Sequence, residues 1–178
     1  MAIDAKYLQT PRLALRPPRP EDAQNIFDSY GSDHDVTRFV SWPRHTSVED
    51  SKRFIEFSES LWREWPAGPL LIESRVDGRL IGATEIRFET PYRASTGYVL
   101  SHHAWGSGFA SEAVRAVSRL AHSLGVQRLY AVCHTHHVAA IRVLERGGFL
   151  REGVLRKYRV FPNLLDATPQ DVCLYART

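Results

Sequence analysis

The segment SHHAWGSGFASEA, from Ser101 to Ala113, restricts the possible folds of this chain more than any other part of its sequence. A strand-like run leads into it, two glycines around Ser107 follow, and an amphipathic helix begins at once. A helix start usually carries a capping Ser, Thr, Asp or Asn side chain. Glycines stand there instead, so we expect the first N–H groups of this helix to be uncovered.

Uncovered N–H groups at a helix start predict an anion site, because they and the positive end of the helix dipole point at the same place. Gly106 and Gly108 would let a phosphate approach the backbone without a Cβ in its way. Ser107 or Ser111 would add a hydroxyl group. A plain tight turn whose amides are covered by water remains the alternative at this point.

Two familiar phosphate-binding motifs do not fit this segment. A Walker loop needs a Lys after its last glycine, and none is present. A dinucleotide fingerprint needs an acidic residue at the end of the next strand to bind the ribose, whereas that strand ends in Cys133-His134. Neither kind of nucleotide site is therefore expected.

The composition is that of an ordinary globular protein of 178 residues, 43% hydrophobic and 24% charged, most simply one domain over residues 1–178. Because it has no long apolar run and no signal-peptide core, we expect a cytoplasmic protein with no membrane partner. The net charge of +3 comes without a dense Lys/Arg patch, so no nucleic-acid partner is expected. Cys133 and Cys173 match neither a zinc spacing nor a disulfide framework.

Periodicity and turn signals predict strands and helices in the order β-α-α-β-β-β-α-β-α-β-β, which indicates a mixed sheet with helices. An Asp77-Gly78 turn is typical of a tight hairpin, and it joins the second and third predicted strands. The predicted elements are a strand over Arg12–Pro18, helices from Pro20 and over Thr46–Trp65, a hairpin over Gly68–Thr90, a strand over Thr96–Ser101, a helix over Ser107–Ser123, a strand over Arg128–His134, a helix before Gly147-Gly148, and strands near Phe149–Val160 and Val172–Arg177.

The apolar faces of the first two helices are predicted from their spacing. The first presents Ala23, Ile26, Phe27 and Tyr30 on one side. The second begins with the capping box Thr46-Ser47-Val48-Glu49, and its stripe of large side chains is predicted to be core. That stripe consists of Phe54, Phe57, Leu61 and Trp65, and Trp62 and Trp65 together are a candidate wall for an acceptor.

Several segments in the same order resemble the GNAT superfamily of acyl-CoA-dependent N-acyltransferases, most closely its ribosomal-protein-alanine N-acetyltransferase-like branch. They are TPRLALRP, LIGATEIRF, GYVL, WGSGFASEA, AIRVLERGGF and DVCLYAR, and they span nearly the whole chain. The resemblance implies an α+β fold with a mixed, mostly antiparallel central sheet flanked by helices. It also implies acetyl-CoA, or another short acyl-CoA, as co-substrate.

The superfamily's coenzyme A motif, Q/R-x-x-G-x-G/A, falls on Trp105 to Ala110, with Trp105 in place of the Gln or Arg. By this resemblance the helix start would receive the pyrophosphate of coenzyme A. The strand before it would splay from its neighbour and pair with the pantetheine arm through backbone groups. The implied cofactor-binding residues are Val99, Leu100, Ser101, Trp105, Gly106, Ser107, Gly108, Phe109, Ala110 and Ser111.

Acetyl transfer to an amine needs a base for the amine, a donor for the oxyanion and a proton for the leaving thiolate. Where much of this branch has Asn and then Ser, this chain has His137 and Ala140. His137 is a candidate base or acid because its pKa lies near neutrality. Glu85 is the best remaining carboxylate, since strand alternation sets it beside apolar neighbours. Tyr98 and Tyr158 are candidate hydroxyl donors.

The sequence therefore predicts an acyl-CoA-dependent N-acyltransferase that acetylates a primary amine, either a protein N-terminus or a small molecule. A non-catalytic acyl-CoA-binding or sensing module remains the alternative, and a homodimer is left open. Adjacent histidines in HTHH do not supply a convergent ligand set, so no metal is expected. Glu85 and His137 are the catalytic candidates.

Overall fold

One eight-stranded sheet organises the computed structural model, which describes residues 4–166 and 168–178. Its strands stand in the order β1-β2-β3-β4-β5-β6-β8-β7, and all neighbours are antiparallel except β5 and β6. The strands are β1 Leu8–Gln9, β2 Leu13–Arg16, β3 Pro69–Ser74, β4 Leu80–Thr90, β5 Arg93–Leu100, β6 Arg128–His134, β7 Leu150–Arg159 and β8 Gln170–Arg177. This is the mixed, mostly antiparallel sheet that the sequence predicts.

Helices cover the sheet on both faces. They are α1 Ala23–Ile26, α2 His34–Thr37, α3 Val48–Glu64, α4 Phe109–Ser123 and α5 Val138–Arg146. A 3-10 turn precedes α1 and a π-helical turn over Phe27–Gly31 follows it. The predicted first helix is thus divided into three short pieces, although Ala23, Ile26 and Tyr30 are buried as expected.

Two apolar clusters hold these layers together. In the larger one, α4 packs against the sheet through the apolar stripe that its periodicity predicts, with Val114, Val117 and Leu120 fully buried. In the smaller one, α1 and α3 cover Leu71, Ala83 and Val99 of three neighbouring strands on the opposite face. Each face of the sheet is therefore covered by its own packed layer.

The prediction for α3 is wrong in two details. Its N-cap is Ser47, and Asp50 rather than Glu49 completes the capping box by accepting the Ser47 N–H at 3.1 Å. Its buried face consists of the smaller residues Ser51, Ile55 and Ser58, whereas Phe57 is 42% exposed. Small side chains allow the helix to approach the sheet closely, and the large aromatic side chains are left at the rim of the interface.

A buried ion cluster joins the α1 layer to the sheet. The Arg16 guanidinium on β2 lies 2.7 Å from Asp22 and 2.6 Å from Glu73 of β3, and all three side chains are largely buried. Burial alone would raise the pKa of Asp22, but hydrogen bonds from Arg16 and from the Arg19 N–H lower it below its usual range. The folded state therefore favours the ionised carboxylate.

We expect Arg16→Met to lower the free energy of unfolding by about 3 kcal/mol, because it leaves buried carboxylates without their cation. The stabilisation from Asp22 is complete above the pKa of this carboxyl in the unfolded chain and is lost as the pH falls through its lowered pKa in the folded state. Since the variant lacks this stabilisation, its free energy of unfolding should depend less on pH over that range. Urea unfolding at several pH values between about 3 and 7, the range in which carboxyl groups titrate, measures both effects.

The matched control is Arg79→Met, which removes an exposed guanidinium 3.9 Å from Asp77. Its cost should stay within about 0.5 kcal/mol, as for most surface ion pairs. Equal losses in the two variants would contradict a structural role for the buried cluster.

Candidate active site

The loop before α4 presents a helix start without a side-chain cap. Gly108 is the N-cap residue in the left-handed conformation at φ +79°, and Gly106 also has a positive φ of +73°. In the part of the chain that the structure describes, the N–H groups of residues 106–111 have no protein acceptor. A left-handed residue followed directly by helix makes consecutive N–H groups converge on an anion. The geometry agrees with the anion site that the sequence predicts.

A side chain from the other end of the sheet holds this loop in place. Arg12 donates to the Ser107 carbonyl at 2.9 Å and to Glu112 at 2.7 Å, and it lies 4.5 Å from the Phe109 ring centroid. Thr10 donates to Glu112 at 2.6 Å. Burial would raise the pKa of Glu112, but these hydrogen bonds lower it. Sequence reasoning missed this contact, because no local pattern connects residues about a hundred positions apart.

A gap opens in the middle of the sheet beside the loop. The parallel strands β5 and β6 pair only from Arg93–Ser95 to Arg128–Tyr130, and beyond these residues they part. β5, the strand that the family resemblance predicts to splay, is therefore the strand that separates from its neighbour. Its unpaired segment leads directly to the 3-10 turn over His102–Ala104 and the glycine loop.

Three β5 residues were predicted to line the gap through their backbone. The Ser101 N–H donates to Ile81 of β4 at 2.9 Å. Alternate residues of an antiparallel strand face the same neighbour, so Val99 also faces β4 and Leu100 faces the gap. The Leu100 carbonyl accepts the indole N–H of Trp105 at 2.9 Å. The structure thus leaves Leu100 best placed for a backbone contact, and the roles of Val99 and Ser101 stay predictions.

Tyr98 and Cys133 lie on opposite sides of the gap. Tyr98 packs against the large apolar cluster that contains Cys133 and Ala140, and burial raises its pKa. Its hydroxyl has no hydrogen-bond partner within residues 4–166 and 168–178. Tyr158, the other candidate hydroxyl donor, is 49% exposed on β7. Of these two tyrosines, Tyr98 is therefore the one that offers a neutral phenol at the gap.

Glu85 lies on β4 directly opposite Gly97 of β5, two residues beyond the last β5–β6 pair. A Cβ added at Gly97 would meet only the Glu85 Oε1 atom, at 3.8 Å. The missing side chain thus leaves an opening between the carboxylate and the gap. Burial raises the pKa of Glu85, and the positive charges of Arg87 and Arg159 partly oppose the increase. The expected raised pKa of a candidate base is present.

His137 is the N-cap residue of α5, and its ring stacks on Phe39 with centroids 4.8 Å apart. Burial and the neighbouring His134 lower its pKa, so the imidazole is neutral at pH 7. No hydrogen bond joins His137 to Glu85 among the described residues. The two catalytic candidates therefore occupy separate environments on either side of the gap.

A cavity of about 420 Å³ lies beside His137, between the β6–α5 loop, the segment after α2 and the start of β8. Arg38, His134 and Asp171 are among its lining residues. Asn163 of the β7–β8 loop bonds backbone groups of the facing segment: the carbonyls of Thr37 and Trp42 at 2.7 and 3.0 Å, and the Arg44 N–H at 2.8 Å.

The predicted tryptophan wall is not on this side of the molecule. Trp62 donates its indole N–H to the Pro69 carbonyl at 2.9 Å, and Trp65 stacks on Phe88 with centroids 5.3 Å apart. Both pack against the large apolar cluster. They are candidates for the wall because the second predicted helix is rich in aromatic residues, but at the end of α3 both pack against the edge of the core.

The residues that the structure describes contain neither a candidate membrane-spanning helix nor a candidate group of metal ligands. None of the helices there has the length and apolar content needed to cross a membrane. No three side chains of His, Cys, Asp or Glu in these ranges are placed to bind a metal ion together.

Comparisons with known proteins agree on one family. A model described as an acetyltransferase (GNAT) domain matches residues 12–150. The chain is 34% identical over 172 residues to an uncharacterized N-acetyltransferase, YoaA of Bacillus subtilis strain 168, covering 95% of this chain and 94% of the relative. It is 32% identical to an uncharacterized N-acetyltransferase, p20 of Bacillus licheniformis, covering 85% of this chain and 86% of that protein.

Solved structures show the same fold. The microcin self-immunity acetyltransferase MccE, solved with acetyl-CoA and AMP, has a TM-score of 0.84 at 21% identity and covers 95% of this chain and 93% of its own. The ribosomal-protein acetyltransferase RimL, solved with coenzyme A, has a TM-score of 0.83 at 21% identity and covers 96% and 97%.

We expect Gly106→Ala to weaken the binding of coenzyme A about tenfold, a loss of about 1.4 kcal/mol. The new Cβ meets no protein atom within 4 Å, so it would project into the space that the predicted ligand needs. The left-handed φ also strains an alanine by about 1 kcal/mol. Calorimetric titration with coenzyme A gives the affinity, and thermal unfolding gives the stability.

Gly78→Ala is the control, since Gly78 has a φ of +70° and open space but lies in the β3–β4 turn. It should lose the same stability and keep the affinity. If the two variants bind coenzyme A with equal affinity, coenzyme A does not bind at the loop that contains Gly106.

Proposed function

This chain belongs to the GNAT acetyltransferase family and is an N-acetyltransferase, and we propose that it transfers the acetyl group of acetyl-CoA to a primary amine. The observation that carries the proposal is the row of free N–H groups over residues 106–111, set beside a gap between two parallel strands. The first feature suits a pyrophosphate, and the second suits an extended arm that pairs with strand backbone.

The loop fits acetyl-CoA because the contacts that hold it in place leave its backbone N–H groups unoccupied. Trp105 ties the loop to β5 through the Leu100 carbonyl, and the N–H groups of Gly106 to Ser111 take no part in this bond. Arg12 fixes the outer side of the loop without using those N–H groups. The loop is therefore held in its anion-binding conformation by side chains that the anion does not displace.

We assign the role of general base to Glu85. A base must be ionised to accept a proton from the acceptor ammonium, and burial raises the pKa of this carboxyl toward the working range. The opening left by Gly97 connects the carboxylate with the gap. Activity should therefore fall as the pH decreases through the raised pKa of Glu85.

His137 and Tyr98 complete the proposed machinery. The neutral imidazole of His137 can make a hydrogen bond at the cavity side of the gap, which would orient the acceptor. Tyr98 holds its proton because burial raises the pKa of the phenol, so it can protonate the leaving thiolate. This would replace the hydroxyl that the family's Ser supplies where this chain has Ala140.

Two structural neighbours support a peptide N-terminus and a small molecule as the two kinds of acceptor. RimL is described as an α-N-acetyltransferase of a ribosomal protein, and MccE was solved with AMP beside acetyl-CoA. We propose a cytoplasmic enzyme whose acceptor is a peptide N-terminus or a small amine. A monomer and a homodimer are distinguished by light scattering.

The test is the release of free thiol from acetyl-CoA across a panel of acceptors: short peptides with free N-termini, amino acids, polyamines and aminoglycosides. Acceptor-dependent release, with the acetylated product seen by mass spectrometry, would support the proposal. Tight binding of acetyl-CoA with no release for any amine would contradict it and favour the sensing module.

With the best acceptor, Glu85→Gln should lower kcat about 100-fold, the lower range for loss of a general base. The KM for acetyl-CoA should not change, because the cofactor loop is distant from this side chain along the strand. The acid limb of the pH–rate profile should disappear. Glu56→Gln, an exposed residue of α3, is the matched control and should retain full activity.

His137→Phe keeps an aromatic ring against Phe39 but removes both ring nitrogens. We expect the acceptor KM to rise about tenfold, the loss of about one good hydrogen bond, with little change in kcat. If kcat falls 100-fold and Glu85→Gln is mild, the base is His137 and our assignment is wrong.

A further inference from the structure

Three arginines near the proposed acceptor side share an unusual arrangement. The guanidinium carbon lies over an aromatic ring in each case: Arg38 over Phe39 at 5.1 Å, Arg87 over Phe57 at 5.5 Å and Arg159 over Tyr158 at 5.9 Å. Within the described ranges none of the three has a carboxylate oxygen within 4 Å. Stacking fixes the plane of a guanidinium and leaves its N–H donors free for an oxyanion.

The three arginines come from distant parts of the sequence: Arg87 and Arg159 lie near Glu85, and Arg38 lines the cavity. Arg87 is two residues after Glu85 on β4, so strand alternation places both on one face. Arg159 pairs in register with Gln170, which lines the cavity together with Arg38. The proximity of Arg159 to Glu85 is seen in its effect on that carboxyl group.

We propose that the acceptor carries a carboxylate or phosphate within a few ångströms of its amine, and that Arg87, Arg159 and Arg38 bind this anionic group. The inference rests on the proposed function and names the substrate class of the same site. One carboxylate, Glu85, faces the ammonium, and the arginines face the anion. The site thus complements a zwitterion such as an α-amino acid or an aminoalkyl phosphate.

The charge distribution disfavours the other acceptor classes. A polyamine or aminoglycoside would bring several positive charges toward three arginines, which is repulsive at these distances. The carboxylate on the cavity wall, Asp171, is engaged through Oδ1 with the Lys157 N–H at 2.8 Å. One carboxylate offsets only part of the positive charge contributed by three arginines.

Matched acceptors that differ only in the anion test the proposal directly. We would compare kcat/KM for alanine against alaninamide, and for phosphoethanolamine against ethanolamine. The peptides Ala-Asp-amide and Ala-Asn-amide form a third pair, which asks whether a peptide side chain supplies the anion. We expect at least a tenfold preference for the anionic member of one or more pairs.

Variants connect any preference to the arginines. Arg87→Gln and Arg159→Gln should each lower the preference at least fivefold, because the KM of the anionic acceptor rises more than the KM of its neutral partner. Arg87→Lys keeps the charge but loses the planar fork, and should retain part of the preference. Arg119→Gln, an exposed residue of α4 on the other face of the sheet, removes the same charge and should change nothing.

The assays belong above the acid limb of the rate profile, so that Glu85 is ionised in every variant. Equal or lower rates with the anionic partners, or a polyamine as the best acceptor, would overturn the inference while leaving the acetyltransferase proposal intact. A preference that persists in Arg87→Gln and Arg159→Gln would also overturn it. Absence of transfer to every amine would instead reject the proposed function.

Discussion

The parting of β5 and β6 after three paired residues is the feature on which the site depends. Unpaired strand edges inside a sheet are costly, because backbone groups lose their partners. They persist here because helices pack on both faces of the sheet: α1 and α3 lie over one face at Leu71, Ala83 and Val99, α4 packs against β4 and β5 on the other face, and α5 packs against β6 and β7 across the gap. Closing the gap would therefore require these helices to repack against the sheet.

The glycine loop shows how a binding surface can be held in one conformation by contacts that leave its hydrogen-bond donors unoccupied. A cap side chain would fix the start of α4 but would occupy the N–H groups. Arg12 and Trp105 fix the loop from its carbonyl side, through Ser107 and Leu100. Since these contacts use no backbone N–H group of the loop, its backbone donors stay available.

Most strands and helices could be predicted from the sequence because their signals are local. The bounds of β6 are those predicted, and the glycines around Ser107 indicated the anion site. Periodicity could not predict which face of a helix packs against the sheet. The buried face of α3 consists of Ser51, Ile55 and Ser58, because close approach to the sheet outweighs side-chain size. Contacts between distant residues, such as Arg12 with Glu112 or Arg159 near Glu85, depend on topology and leave no pattern in the chain.

Asn163 has a consequence for how this fold can diversify. It holds the segment after α2 through two carbonyls and one N–H group, and never through a side chain. The path of that segment is therefore independent of which residues occupy it. Substitutions from Arg38 to Trp42 can change the chemistry of the cavity while its outline is conserved, so new acceptor preferences can arise there without a new backbone.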